Sequence, residues 1–328
     1  MTSMIIRRIA LAIPTLIAIS MISFFIIQIA PGDYLDQKIA ELTQRNGDAS
    51  SMIKADQLRA RYGLDQPVYV QYGRWVWGVV HGDFGESFRY EREVSDLIWE
   101  RLGFTLLLSV GALFFIYAVA IPLGIYSGTH NHTWQDKVLM LLSFFGMSVP
   151  TFLLALGLMV MVFYWFGVPL FGLFSMQYEN APWSWAKFLD LVKHLWIPVI
   201  VMSVNGLGGL VRIMRANMLD VLGEPFVRAA RAKGLKERTV IYRHAARIAV
   251  NPVISIAGMS LPAIISGETI IAIVLGLPTV GPLLFRSLQD QDMYLAGTLI
   301  LMTSALLIVG NLLADIALAW ADPRIRYE

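Results

Sequence analysis

Long apolar windows alternate with polar segments along the chain. Windows of roughly 20 apolar residues, the length that crosses about 30 Å of hydrocarbon, fall at about 9–30, 105–127, 138–166, 195–211, 253–275 and 297–320. Six membrane-spanning helices are predicted. The third window is long and carries Pro150, which predicts either a kink, because proline lacks the N–H that continues a helix, or a helix that begins before the hydrocarbon. The fourth is short and holds NGLGGL at Asn205–Leu210. Small residues there let a neighbouring helix approach closely; a locally weak helix in a tilted span is the alternative. The first window follows Arg7 and Arg8 and is 22 residues long, beyond the core of about 7–15 residues in a signal peptide, so it reads as a retained span.

Composition agrees with this pattern. The chain is 56% hydrophobic and 15% charged, where soluble domains carry about 25% charged residues. The net charge of +2 says less than where the charges sit. Residues 212–252 hold Arg212, Arg215, Arg228, Arg231, Lys233, Lys236, Arg238, Arg243 and Arg247 against Asp220, Glu224 and Glu237. The positive-inside rule places this loop in the cytoplasm. Arg7, Arg8, Lys137, Arg324 and Arg326 then fall on the same side, with both termini cytoplasmic and 31–104 a long external loop. Segments 167–194 and 276–296 are external as well, with Trp183, Trp185 and Tyr294 as interfacial aromatics.

Little catalytic chemistry is available. Cysteine is absent, which excludes disulfides, thiolate metal sites and a cysteine nucleophile. No G-x-x-x-x-G-K-[ST] occurs, so the chain has no phosphate loop of its own and no cofactor is expected within it. His130 and His132 lack further ligands, and no metal or catalytic residue is assigned. The basic loop lacks the interleaved aromatics and broad basic surface of a nucleic-acid binder. Within the apolar windows, Glu268 and Asp315 are ionisable, and a charge at mid-bilayer costs about 2.5–3.5 kcal/mol. Glu268, beside Ser266, is a candidate pathway or gate residue, with a structural hydrogen bond between helices as its alternative. Asp315 reads as structural. Asn205 and Ser148 complete the candidate translocation path.

A short helix is predicted over Pro225–Lys233, between a break at Gly223 and a left-handed stop at Gly234. Glu224 precedes Arg228 by one turn. Phe226, Ala229, Ala230 and Lys233 share one face, and Arg228 and Arg231 another. Alanines on an exposed face suit the close approach of another backbone. Attraction to acidic lipid headgroups, or topology alone, would explain the charge but not Ala-Ala-x-x-x-Gly.

Arg228-Ala229-Ala230-Arg231-Ala232-Lys233-Gly234 resembles the E-A-A-x-x-x-G loop of binding-protein-dependent ABC importer permeases, with Arg228 in place of the glutamate. That form is similar to the oligopeptide, dipeptide and nickel branch. The resemblance extends through "RRIALAIPTL", "IAPGD", "RYGLDQPVYVQYGRWVWGVVHGDFGESF", "SVPTF", "GETIIAIVLGLPTVGPLLFRSLQDQDMYLAG" and "DPRIR". Two departures are "RIAVNP" in place of the family's I-x-L-P and a stretch at 34–58 that matches no family motif. The resemblance implies an all-helical fold of six transmembrane helices, like a type I ABC importer permease, in a bacterial inner membrane. It implies a coupling helix at Pro225–Lys233 seated in a cytoplasmic ATPase, with Glu224, Arg228, Ala229, Ala230, Arg231, Lys233 and Gly234 as coupling residues. Its implied partners are two ABC ATPase subunits carrying ATP and Mg, a second similar permease, a periplasmic substrate-binding protein and membrane lipid. Di- and oligopeptides are the expected substrates, with nickel or sugar-derived compounds as the alternative. An ion-coupled secondary transporter and a channel or export component are the rivals from other classes.

Overall fold

The computed structural model describes residues 2–29, 66–167, 171–254, 256–257 and 269–321. These form helices α1 (Thr2–Ile29), α2 (Val68–Val80), α3 (Val94–Thr129), α4 (Trp134–Ser148), α5 (Thr151–Phe166), α6 (Trp185–Leu222), α7 (Pro225–Ala232), α8 (Glu237–Thr239), a π-helical stretch Val240–Ala245, α9 (Ala246–Ala249), α10 (Thr269–Val274), α11 (Val280–Gln289) and α12 (Met293–Ala321). Among the described residues, α1, α3, α6 and α12 contain segments long and apolar enough to cross a membrane, and α4 with α5 makes a fifth candidate. Of the predicted span 253–275, residues 255 and 258–268 lie outside the described residues.

Three of the predicted windows need correction. The third is not one kinked helix: α4 and α5 meet at 103°. Pro150 precedes α5 and holds Val149 in an extended conformation at φ −85°, ψ 127°, as the residue before a proline prefers. The fourth is not short, because α6 runs for 38 residues, about 57 Å at 1.5 Å per residue. Its early turns escape an apolar window because Lys187, Asp190 and His194 sit on them, on one face and buried. The preceding loop satisfies Lys187 and Asp190, and His194 bonds through Nδ1 to the Asp190 carbonyl at 2.8 Å. Lys187 Nζ donates to the carbonyls of Glu179 and Ala181 at 3.3 and 2.6 Å, and Asp190 accepts from the Ser175 N–H and hydroxyl at 2.7 and 2.6 Å. The second window begins eleven residues late, since α3 starts at Val94 behind the charges of Asp96, Glu100 and Arg101.

Two compact units emerge. The first comprises the described parts of Phe104–Pro278 and Val309–Glu328. Here α3, α4 and α6 pack through glycines. A Cβ on Gly124 or Gly128 of α3 would lie 2.5 or 2.7 Å from Cβ of Met214 or Met218 on α6. A Cβ on Gly208 of α6 would lie 2.5 Å from the Ser143 carbonyl oxygen of α4, and Gly146 of α4 faces Val204 in the same way. The close approach predicted for Asn205–Leu210 is therefore made at Gly206, against Ile116, and at Gly208, while Gly209 faces open space.

The second unit comprises the described parts of Thr2–Gly103 and Thr279–Ile308. Its helix α2 lies inside the segment predicted as an external loop, and at 13 residues it is too short to span. Trp75 of α2 is buried with Phe24, Phe88 and Met293, and Gln71 of α2 receives a hydrogen bond from Gln28 at 3.0 Å. Gly85 turns the following loop at φ +79°, where a Cβ would sit 2.9 Å from the Tyr294 ring. Tyr294 is half-buried and edge-on to Phe88 at 5.3 Å.

Candidate functional site

Helix α7 forms where the sequence predicts it, one residue shorter. Gly223 ends α6, Glu224 is the N-cap and Pro225 occupies the first turn. At the far end the Gly234 N–H donates to the Arg231 carbonyl at 2.9 Å and the Leu235 N–H to the Ala230 carbonyl at 3.4 Å, with Gly234 at φ +73°. This paired closure needs a left-handed residue. Open space surrounds Gly234, so the glycine answers a backbone requirement, not a steric one.

The faces of α7 differ from expectation. Val227 and Ala230 are buried in a core with Met214 and Met218 of α6, Ile116, Ala120 and Ile125 of α3, and Val240, Ala245 and Ala246. Ala230 is therefore small because the protein's own helices close over it. Phe226, Arg228, Ala229, Arg231 and Lys233 remain exposed. Arg231 pairs with Glu237 at 2.7 Å, and its guanidinium, hydrogen-bonded to Glu237, holds that carboxyl below the usual carboxylate range. Glu224 lies at the N-terminus, where an acid complements the helix dipole.

Between α3, α4 and α6 lies a cluster that the periodicity did not single out. Asp136 is buried at the start of α4, where Thr133 caps the helix by accepting the Asp136 N–H at 3.3 Å. One carboxylate oxygen accepts from Ser127 Oγ at 2.5 Å and Arg215 Nε at 2.7 Å; the other accepts from Arg215 Nη2 at 2.8 Å and the His132 N–H at 3.1 Å. Arg215 Nη2 also donates to Asn131 Oδ1 at 2.7 Å. Removing one partner of such a pair costs about 3–5 kcal/mol. The legible signal was the [ST]-x-x-[DE] box in Thr133-Trp-Gln-Asp136 ahead of an apolar run. His130, singled out as a conceivable ligand, is stacked on Tyr126 at 4.3 Å.

The predicted path residues scatter. Glu268 and Ser266 lie outside the described residues. Asn205 is exposed on α6, and Ser148 is exposed on the last turn of α4 with its hydroxyl donated to the Phe144 carbonyl at 2.8 Å. Val204 packs on Gly146, so both polar residues stand near the 103° break. Arg212, two turns along α6 from Asn205, places its guanidinium 5.0 Å from the Phe144 ring centroid. Asp315 is half-buried in α12.

In the second unit, Asp292 is fully buried and caps α12. It accepts from Ser87 Oγ at 2.5 Å, the Arg89 N–H at 3.1 Å and the Leu295 N–H at 3.2 Å. Burial raises its carboxyl above the usual range even though these hydrogen bonds oppose the rise. Between the ordinary aspartate value and the raised one, the folded state holds more proton than the unfolded state, so stability falls as pH rises through that window. Asp292→Asn should flatten this slope. Thermal unfolding of detergent-solubilised protein across the acid range measures it, and a slope as steep as that of the unsubstituted chain would refute the assignment.

Similarity to known proteins matches this architecture. A family model for the binding-protein-dependent transport system inner membrane component matches residues 120–327, and one for the N-terminal region of such membrane components matches residues 1–109. The chain is 35% identical over 339 residues to the oligopeptide transport system permease protein AppB of Bacillus subtilis, with both chains fully covered. It is 32% identical over 344 residues to the dipeptide transport system permease protein DppB of Escherichia coli, again with full coverage of both. Matched from end to end and built of apolar helices, the chain belongs to the family of binding-protein-dependent transport system inner membrane components.

Proposed function

We propose that the chain is the membrane-spanning permease of an ATP-driven importer of di- and oligopeptides. The similarity over full length to an oligopeptide and a dipeptide permease supports the substrate class. The observation that carries the mechanism is α7, a short helix with one face sealed into its own subunit and Arg228, Ala229 and Lys233 left outward. In this reading α7 is the coupling helix, seated in one of two ABC ATPase subunits that hold ATP and Mg. A second permease completes the pathway, and a periplasmic binding protein delivers the peptide. Closure of the ATPase pair moves the coupling helices and turns the pathway outward. In this reading Ser148 and Asn205, near the α4–α5 break, line that pathway, and Glu268 and Ser266, which lie outside the described residues, are assigned to it on their sequence alone.

Reconstitution with the two ATPases and the binding protein tests this. Peptide-loaded binding protein should stimulate ATP hydrolysis, and native mass spectrometry of that protein should retain peptide. Hydrolysis indifferent to loaded binding protein would overturn the importer mechanism.

Orientation is open to a direct check, since no native cysteine interferes. Gln289→Cys, exposed at the end of α11, should react with an impermeant thiol reagent from outside; Lys236→Cys, exposed after α7, should react only after the membrane is opened. The reversed pattern would invert the topology and remove α7 from the ATPase side.

For Glu268, a pathway role predicts normal assembly and altered uptake in Glu268→Gln, most plainly for cationic peptides. Unchanged uptake with poor assembly of Glu268→Leu would assign the residue to helix packing.

A further inference from the structure

We infer that Asp136 and Arg215 form a clamp that makes α4 move with the coupling helix, so that the α4–α5 break near Ser148 follows the ATPase. This rests on α7 being the coupling helix. Three helices meet on one buried carboxylate: α3 through Ser127, α6 through Arg215 and α4 through Asp136 itself. The turn between α3 and α4 is closed onto the pair by Asn131, which accepts from Arg215, and by His132, whose N–H donates to Asp136 and which holds a left-handed φ of +64°. A non-glycine residue persists there when its surroundings over-determine it.

The placement gives the pair a direction of action. Arg215 follows Met214 and lies one turn before Met218 in sequence, and both methionines share the core that buries Val227 and Ala230 of α7. A push on α7 therefore reaches α6 through this shared core, by way of the segment 240–249 that packs against both. From α6 to α4 the contact is different in kind. It includes Gly146 and Gly208, where the backbones come together and Val204 and Met147 pack against the glycines. The bidentate fork of Arg215 on Asp136 adds to that contact a directional tie, fixed by the plane of the guanidinium. Stability alone does not require this chemistry, because paired apolar residues of similar volume can replace a buried ion pair without loss.

The test uses the assembled complex with spin labels at Leu142→Cys on α4 and Lys236→Cys beyond α7, both exposed. In the otherwise unchanged chain, the separation of the labels should be the same without nucleotide and with trapped ATP. In the paired variant Asp136→Leu/Arg215→Met, the separation should change with nucleotide. Peptide moved per ATP hydrolysed should fall at least about fivefold, the lower end of typical coupling between sites. The inference is overturned if the separation in the unchanged chain itself shifts with nucleotide, or if the paired variant keeps both its separation and its transport ratio. Should the paired variant fail to accumulate, Arg215→Lys keeps the charge and loses the fork, and the same outcomes apply to it. Absent stimulation by loaded binding protein in the unchanged chain would strike the importer reading instead, since the clamp is judged by the label separation.

Discussion

Ala229→Trp should leave the permease in the membrane at its normal level and abolish most peptide-stimulated ATP hydrolysis. Ala229 is exposed on α7 while Val227 and Ala230 face inward, so an indole at 229 adds bulk only where the ATPase would seat. Inserting volume into a close-packed contact costs about 1–3 kcal/mol, which corresponds to roughly 5–150-fold weaker coupling. Ala230→Trp gives the contrast. There the indole meets the subunit's own core, so the expected loss is of folded permease, before any question of docking. Gly234→Val should resemble Ala229→Trp in part, because a β-branched residue resists the left-handed φ of +73° and would loosen the end of α7. Membrane abundance and stimulated ATP hydrolysis, measured for all three, separate the cases. Normal stimulated hydrolysis in Ala229→Trp would remove α7 from the docking role.

Gly208→Leu should deplete folded permease from the membrane more than any other exchange within α6. The added Cβ alone would stand 2.5 Å from the Ser143 carbonyl oxygen, a backbone atom that cannot swing away as a side-chain tip can. Either α4 is displaced from α6 or the Ser143 region of α4 loses its helical geometry, and in both cases Asp136 and Arg215 are drawn out of register. Gly209→Leu is the internal control, since open space surrounds Gly209 and the cost should be limited to the surface it presents. Protease resistance and the amount of monodisperse protein recovered in detergent report the difference. Equal recovery of the two variants would show that α4 and α6 do not pack as described.

The sequence by itself determined the class of protein and the position of its coupling candidate. Both follow from local and one-dimensional physics: about 20 apolar residues are needed to cross hydrocarbon, and Gly223, Pro225 and Gly234 act on the backbone where they stand. Hence up to five of the six predicted spans, and α7, are legible among the described residues, with ends displaced by up to eleven residues. The ends moved because charged residues can lie inside a helix once a distant partner satisfies them. Lys187 and Asp190 lengthen α6 in this way, answered by the loop at Ser175 to Ala181, and no apolar window registers that.

Only the tertiary structure decided which side of α7 is free, because periodicity defines faces but not what covers them. Phe226 and Ala230 looked like one surface from spacing. Packing buried Ala230 with Val227 and left Phe226 outside. The same holds for Asp136, whose partner Arg215 lies 79 residues away. A carboxylate at a helix start is an ordinary cap until a guanidinium from another helix closes on it, and that meeting is fixed by the glycine-lined approach of α4 to α6, not by any neighbour in the chain.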